Sequence, residues 1–318
     1  MIDAPTPRWG LVSTIKAPAR DILRFAGHHL EAGAHRLYLF LDAPNDEVYP
    51  HLKAHPKIRV QVCDDAFWQR HGTARPEKHQ PRQTMNASRT YRRKAEMDWL
   101  IHIDVDEFLW SENPIADQLG VLGKETLCAR VRPIESLANS KITEGMAFKA
   151  CPPSPSERDS IVERVYPHFG QFVKGGFLSH IQGKVFVRTG LKGVQIKIHN
   201  VFKDGVENPS QAELPEVDLC HVHARDWDDW LAHYRFRLKQ GSYRAELKPA
   251  RARHLGGVNL NEFFSLLEAE EGLEGLRRFH DEVCADTPDL RAKLQSEGLL
   301  RIRDLQLDQK LRKHFPKF

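Results

Sequence analysis

The residues best suited to chemistry lie in one short run, 99–110, which reads WLIHIDVDEFLW. Hard divalent cations such as Mg2+ and Mn2+ take carboxylate oxygens and keep several positions for water and phosphate, so one or two acidic side chains can hold them. Asp104 and Asp106, two residues apart and just past an apolar stretch, can supply that partial shell. Asp106 is the first candidate for direct coordination, and Asp104 for a ribose hydroxyl or a metal-bound water. A lone D-x-D is a weak pattern. Here five largely apolar residues precede it, and Glu107, Phe108 and Leu109 return the chain to the core, which raises its weight.

Positioning such a pair requires the preceding stretch to be a buried strand, and residues 99–103 are the fourth strand signal in an alternating series. The run 9–15 is apolar and rich in β-branched residues. After Pro18, Ile22, Phe25, Ala26, His29 and Leu30 fall on one helical face, with Gly33 as the stop. Strands follow at 37–41 and 58–62, then a helix over 84–98. This order predicts an α/β fold with a mainly parallel sheet flanked by helices. Ligands of such sheets bind beyond the carboxyl ends of the strands, where Asp42, Asp64 and Asp104 stand. From about residue 125 short strands and loops punctuated by glycine take over, and Pro152, Pro153 and Pro155 mark a loop. Beyond Asp226 the pattern is helical, over 227–246, 261–272, 274–285, 288–297 and 301–313. The expected division is 1–225 as the main domain and 226–318 as a C-terminal helical extension packed on it.

With these motifs in order, the chain resembles the GT-A-fold glycosyltransferases of the family 2 type, in the bacterial branch whose signature reads W-x-x-x-x-D-x-D-E-F. Thr14-Ile15-Lys16 and the helix ending His28-His29-Leu30-Glu31-Ala32-Gly33 resemble that branch's opening segments. Gly183-Lys184 with Arg188, Lys197-Ile198-His199, and Cys220-His221 with Arg225 resemble its downstream ones. Ala17-Pro18 replaces the usual Asn-Glu, and Cys220 and Val222 replace an Asn and a Tyr. The resemblance spans roughly residues 10–245 and implies a GT-A-like, Rossmann-related sheet. It also implies inverting transfer of a sugar from a nucleotide-linked donor, UDP-linked for choice, to a hydroxyl of a glycan or lipid-linked acceptor in surface polysaccharide assembly.

The sites it implies are Mn2+ or Mg2+ on Asp104 and Asp106 with His221, and donor contacts from Lys16, Asp42, Asp104, Lys184 and Arg225. The leaving diphosphate gains charge in the transition state, which a cation and nearby Lys, Arg or His groups stabilise. The general base is sought in Asp159 or Glu163, with Glu135 as a third choice. The competing reading is a non-catalytic carbohydrate- or nucleotide-binding protein of the same fold. A phosphatase using D-x-D as nucleophile is disfavoured, because Glu107-Phe108 stands where a Gly-Thr continuation belongs.

Composition narrows the partners. The 47 Lys and Arg against 43 Asp and Glu leave a formal charge of +4, too small and too evenly spread to call for nucleic acid. Basic clusters at Arg89, Arg92, Arg93 and Lys94 read as solvated faces. The tail from Lys310 to Lys317, interleaved with Phe315 and Phe318, also allows weak attachment to an anionic membrane surface. Five scattered cysteines, with no C-x-x-C, support neither a zinc knuckle nor a disulfide framework. No signal-like or spanning apolar run is present, so the expectation is a cytoplasmic protein, peripheral at the inner membrane face if it is attached at all.

Overall fold

The computed structural model describes residues 6–318 apart from 94, 95, 140–144, 240 and 242, and for Leu255 only the backbone. Lys94 of the basic cluster thus lies outside the described residues. The chain runs through β1 (Trp9–Ile15), α1 (Ala19–Glu31), β2 (Arg36–Leu41), α2 (Tyr49–Ala54), β3 (Ile58–Val62), α3 (Asp65–Arg70), α4 (His79–Tyr91), β4 (Trp99–His102) and β5 (Glu107–Trp110). It continues through α5 (Ile115–Gly120), β6 (Cys128–Ser136), β7 (Met146–Ala150), α6 (Arg158–Val165), β8 (Lys184–Arg188), β9 (Val194–Ile196), β10 (Val201–Lys203), β11 (Val206–Glu207) and β12 (Gln211–His221). The last elements are α7 (Trp227–Lys239), α8 (Leu260–Val283), α9 (Pro288–Ser296), β13 (Leu300–Arg303) and α10 (Leu307–His314).

Two compact units emerge. The first holds residues 1–132, 182–219 and 305–318, and the second 133–181 and 220–304. These ranges differ from the expected 1–225 and 226–318 in that residues 133–181 fall with 220–304 and residues 305–318 with the first unit.

In the first unit the strand order is β6-β8-β4-β1-β2-β3. Strands β4, β1, β2 and β3 are mutually parallel, and β8 is antiparallel to both β4 and β6. Val12 sits opposite Tyr38 on one side and His102 on the other. Strand β1 is buried along its whole length and β2 from Leu37 onward, as befits parallel strands covered on both faces. Helix α4 packs on β1 and α1 on β2. The α/β class with a mostly parallel, helix-flanked sheet is therefore the architecture observed.

Helix boundaries differ from the periodicity in instructive places. Helix α4 starts at His79, five residues earlier than expected, because Pro81 occupies its first turn, where a missing N–H costs nothing. The stretch 301–313 is not one helix. Leu300-Arg301-Ile302-Arg303 alternates as strand β13, and only 307–314 is helical. The helices expected over 261–272 and 274–285 form one run, α8, interrupted at Gly272 with φ of 61°.

In the second unit β7 pairs antiparallel with β13 and with the latter half of β6. Trp230, Tyr234, Tyr243, Phe263, Phe264 and Phe279 fill its core. That core also buries an ion pair: Lys149 Nζ lies 3.2 Å from Glu135 Oε1 and donates to the Val283 carbonyl at 2.7 Å. Glu135 accepts the amides of Leu178 and Ser179 at 3.0 and 2.7 Å. Its carboxylate is thus engaged in holding the unit together, a structural role for the third candidate base.

Candidate functional site

Residues 104–107 form a tight turn at the carboxyl end of β4. The Glu107 amide donates to the Asp104 carbonyl at 3.1 Å, and the Glu107 carboxylate accepts the Asp104 amide at 2.8 Å. Val105 and Asp106 are the two central residues, and Asp106 is half-buried at the tip. Two histidines of α1 then anchor the return strand β5. His28 Nε2 lies 2.8 Å from the Leu109 carbonyl, and His29 Nε2 lies 3.2 Å from the Leu109 amide. His29 Nδ1 is 2.8 Å from the Phe25 carbonyl, so the Nδ1–H tautomer of His29 serves both of its contacts. Burial first, and then the charge of Lys310, lowers the His28 pKa to about 4, so this anchor is a neutral imidazole near pH 7.

Asp104 is held on both carboxylate oxygens. Oδ2 accepts from Lys184 Nζ at 2.6 Å, and Oδ1 accepts from the Gln83 side-chain amide. Lys184 is fully buried and also lies 3.3 Å from the buried carboxylate of Glu107. Burial alone would raise the Asp104 pKa, but the charge of Lys184, with lesser help from His102 and His199, holds it well below the usual carboxylate range. Burial would lower the Lys184 pKa, yet Asp104 and Glu107 raise it. Both partners therefore stay charged. Gly183 makes the placement of Lys184 possible: its φ is 75°, and a Cβ there would meet the Val131 carbonyl at 1.9 Å. His102, on β4, is pushed down to about 4 by burial and by Lys184.

Asp42, just past β2, is buried under two arginines and a histidine. Arg82 grips it with Nε at 2.8 Å from Oδ1 and Nη2 at 2.7 Å from Oδ2, Arg75 Nη2 reaches Oδ1 at 3.1 Å, and His79 Nδ1 lies 3.3 Å from Oδ2. Burial raises its pKa, but His79 and Arg82 outweigh that and hold it at about 2. Asp64, the other strand-end aspartate, caps α3 by accepting the Phe67 amide at 2.7 Å.

A single helix organises these contacts. On α4, His79, Arg82, Gln83 and Asn86 follow i, i+3, i+4, i+7 spacing and share one face. That face touches Asp42, Asp104 and, through Asn86 Nδ2, Thr14 Oγ1 at 3.1 Å and Cys63 Sγ at 3.6 Å. It thereby contacts residues in or just past β1, β2, β3 and β4. The polar spacing H-x-x-R-Q-x-x-N over 79–86 was the available signal, and it carries no apolar periodicity.

The other predicted residues fall in both units. Lys16 is exposed one residue past β1. In the second unit, Asp159 and Glu163 are exposed on α6, and Glu163 pairs with Arg251. Arg225 is exposed and lies 3.2 Å from Asp229. His221 is buried, its ring 5.5 Å from those of His180 and His223. His199, in the first unit, has Nδ1 3.1 Å from the Gly183 carbonyl.

No protein-family model matches the chain, and no curated protein matches it. Among solved structures it is similar to a mycobacterial protein, with 11% identity, a TM-score of 0.38 and 68% of each chain covered. It is similar to the bifunctional glycosyltransferase WbbM at 15% identity and a TM-score of 0.26, over 40% of this chain and 23% of WbbM. GalNAc-T7, solved with UDP, GalNAc and Mn2+, is 10% identical with a TM-score of 0.39, over 99% of this chain and 59% of its own. The chain thus spans less than two thirds of either glycosyltransferase. Likenesses this distant leave the chemistry to be argued from the residues themselves.

Proposed function

We propose that the chain is a glycosyltransferase that moves a sugar from a nucleotide-sugar donor to a hydroxyl acceptor, with a divalent cation held at the 104–107 turn. The observation that carries this reading is the double anchoring of Asp104 by Lys184 and Gln83 within a turn that Glu107 locks from inside. A merely solvated turn carboxylate has no use for a fully buried lysine.

The donor set fits a hard cation: it offers carboxylate oxygens, no thiolate, and an ionised Asp104 whose charge is kept by Lys184. Asp106, at the half-buried tip, is assigned the metal, and Asp104 a ribose hydroxyl or a water on that metal. When bound, the cation would offset the charge developing on the leaving diphosphate. The chain's own part is to keep the Asp104 carboxylate ionised and fixed in place before the ligand arrives, so that little reorganisation is needed. Asp42 is assigned to the nucleotide side, where Arg82 fixes its plane and Arg75 and His79, both partly exposed, remain beside it. Glu163 and Arg225 already have partners, so the reading rests on the first unit.

Thermal shifts with UDP and GDP, each with and without Mn2+, test it. A ligand that binds only the folded state raises the melting temperature. Wild type is expected to be stabilised by one nucleotide in a Mn2+-dependent manner, and Asp106→Ala to lose that increment while remaining folded. A wild type indifferent to every nucleotide contradicts the reading. An increment surviving in Asp106→Ala removes Asp106 from the site.

A further inference from the structure

We infer that α4 is the positioning element of this site, and that Gln83 is a positioning residue which sets metal affinity through Asp104 without touching the metal. The inference rests on the metal reading above, and extends it to a residue outside the D-x-D-E turn.

A carboxylate bonded through one oxygen can still swing about that contact. Asp104 has Oδ2 on Lys184, from β8, and Oδ1 on Gln83, from α4, so two elements define its plane. Gln83 is only 5% exposed, which leaves its amide little rotamer freedom. A neutral amide suits this place. It satisfies the second oxygen without adding a second positive charge beside Lys184, so the turn keeps net negative character for a cation. A glutamate there would set a like charge against Asp104, and an apolar side chain would release the oxygen.

The same helix ties Gln83 to the rest of the strand ends. Arg82 grips Asp42, and Asn86, one turn further along, bonds Thr14 and Cys63. Arg82 and Gln83 are adjacent, so a shift of α4 moves Asp42 and Asp104 together. Partners behind metal-site residues typically change metal affinity by about 10–100-fold when removed.

The test is Mn2+ binding to the full chain, followed by the EPR signal of free Mn2+ on titration with MnCl2, alone and with UDP. The variants are Gln83→Met, which keeps volume and helix propensity, Gln83→Glu and, as a control on the same helix with no contact to the strand-end carboxylates assigned to it, Ala87→Gly, with circular dichroism as the check on folding. Gln83→Met is expected to weaken Mn2+ binding about tenfold, and Gln83→Glu to weaken it further. Ala87→Gly should lower the melting temperature, as glycine does inside a helix, while keeping wild-type Mn2+ affinity, which separates positioning by Gln83 from general support by the helix. Wild-type affinity in folded Gln83→Met and Gln83→Glu overturns the inference. So does a loss in Ala87→Gly as large as in Gln83→Met, which would make the effect one of helix stability. Absence of Mn2+ binding by wild type itself instead overturns the metal reading on which the inference rests.

Discussion

The strand-end carboxylates of Asp42 and Asp104 each owe their charge to a different neighbourhood. Asp104 depends on one buried lysine, whereas Asp42 depends on a bidentate arginine with Arg75 and His79 beside it. The depressed pKa of Asp42 is also a statement about stability. A group whose folded value lies near 2, below its ordinary 3.8, stabilises the fold above the ordinary value, and that contribution is lost as pH falls through 2. The shift corresponds to about 2 kcal/mol. Urea unfolding from pH 5 to pH 2 should therefore show a loss in wild type that Asp42→Asn lacks, and identical pH dependence in the two would refute the assignment. At this scale the sequence was partly transparent. Two aspartates after an apolar strand are visible in WLIHIDVDEFLW, but the inward role of Glu107 and its sharing of Lys184, 77 residues later in the chain, depend on strand pairing that no local pattern encodes.

Helices α1 and α4 do the positioning, and both are held by polar contacts. Helix α1 anchors β5 through His28 and His29 and is itself packed against α10. Arg24 grips Asp308 with two bonds of 2.8 Å, and Gly27 lets the backbones approach: a Cβ at Gly27 would lie 3.0 Å from the Lys310 carbonyl. Gly27→Val should push α10 away, so hydrogen exchange of amides 307–314 is expected to accelerate and the melting temperature to fall. Unchanged exchange there would show that the contact has slack. The C-terminal segment was read as one helix of an appended region. Its assignment to the first unit follows from Arg24, Gly27 and Glu31 on α1, partners nearly 300 residues away in sequence. The alternation of strand and helix at the N-terminus was legible because β1 and β2 are apolar and α1 buries one face. The start of α4 was hidden by Pro81, which looks like a breaker and sits where a proline is harmless.

At the scale of the molecule, the chain builds its two units from interleaved segments, so residues 133–181 share a core with 220–304. Composition registered the change near residue 125 but not this return. Among the described residues no helix is long and apolar enough to cross a membrane. Chemistry at the 104–107 turn is tested by the release of free nucleoside diphosphate from a panel of nucleotide sugars in Mn2+ without acceptor. Wild type should hydrolyse at least one donor slowly and lose that turnover with EDTA. Asp106→Ala should be inactive while folded. Metal-dependent binding of a nucleotide sugar with no turnover, even when acceptor glycans are added, would contradict transfer and leave a binding protein of the same fold.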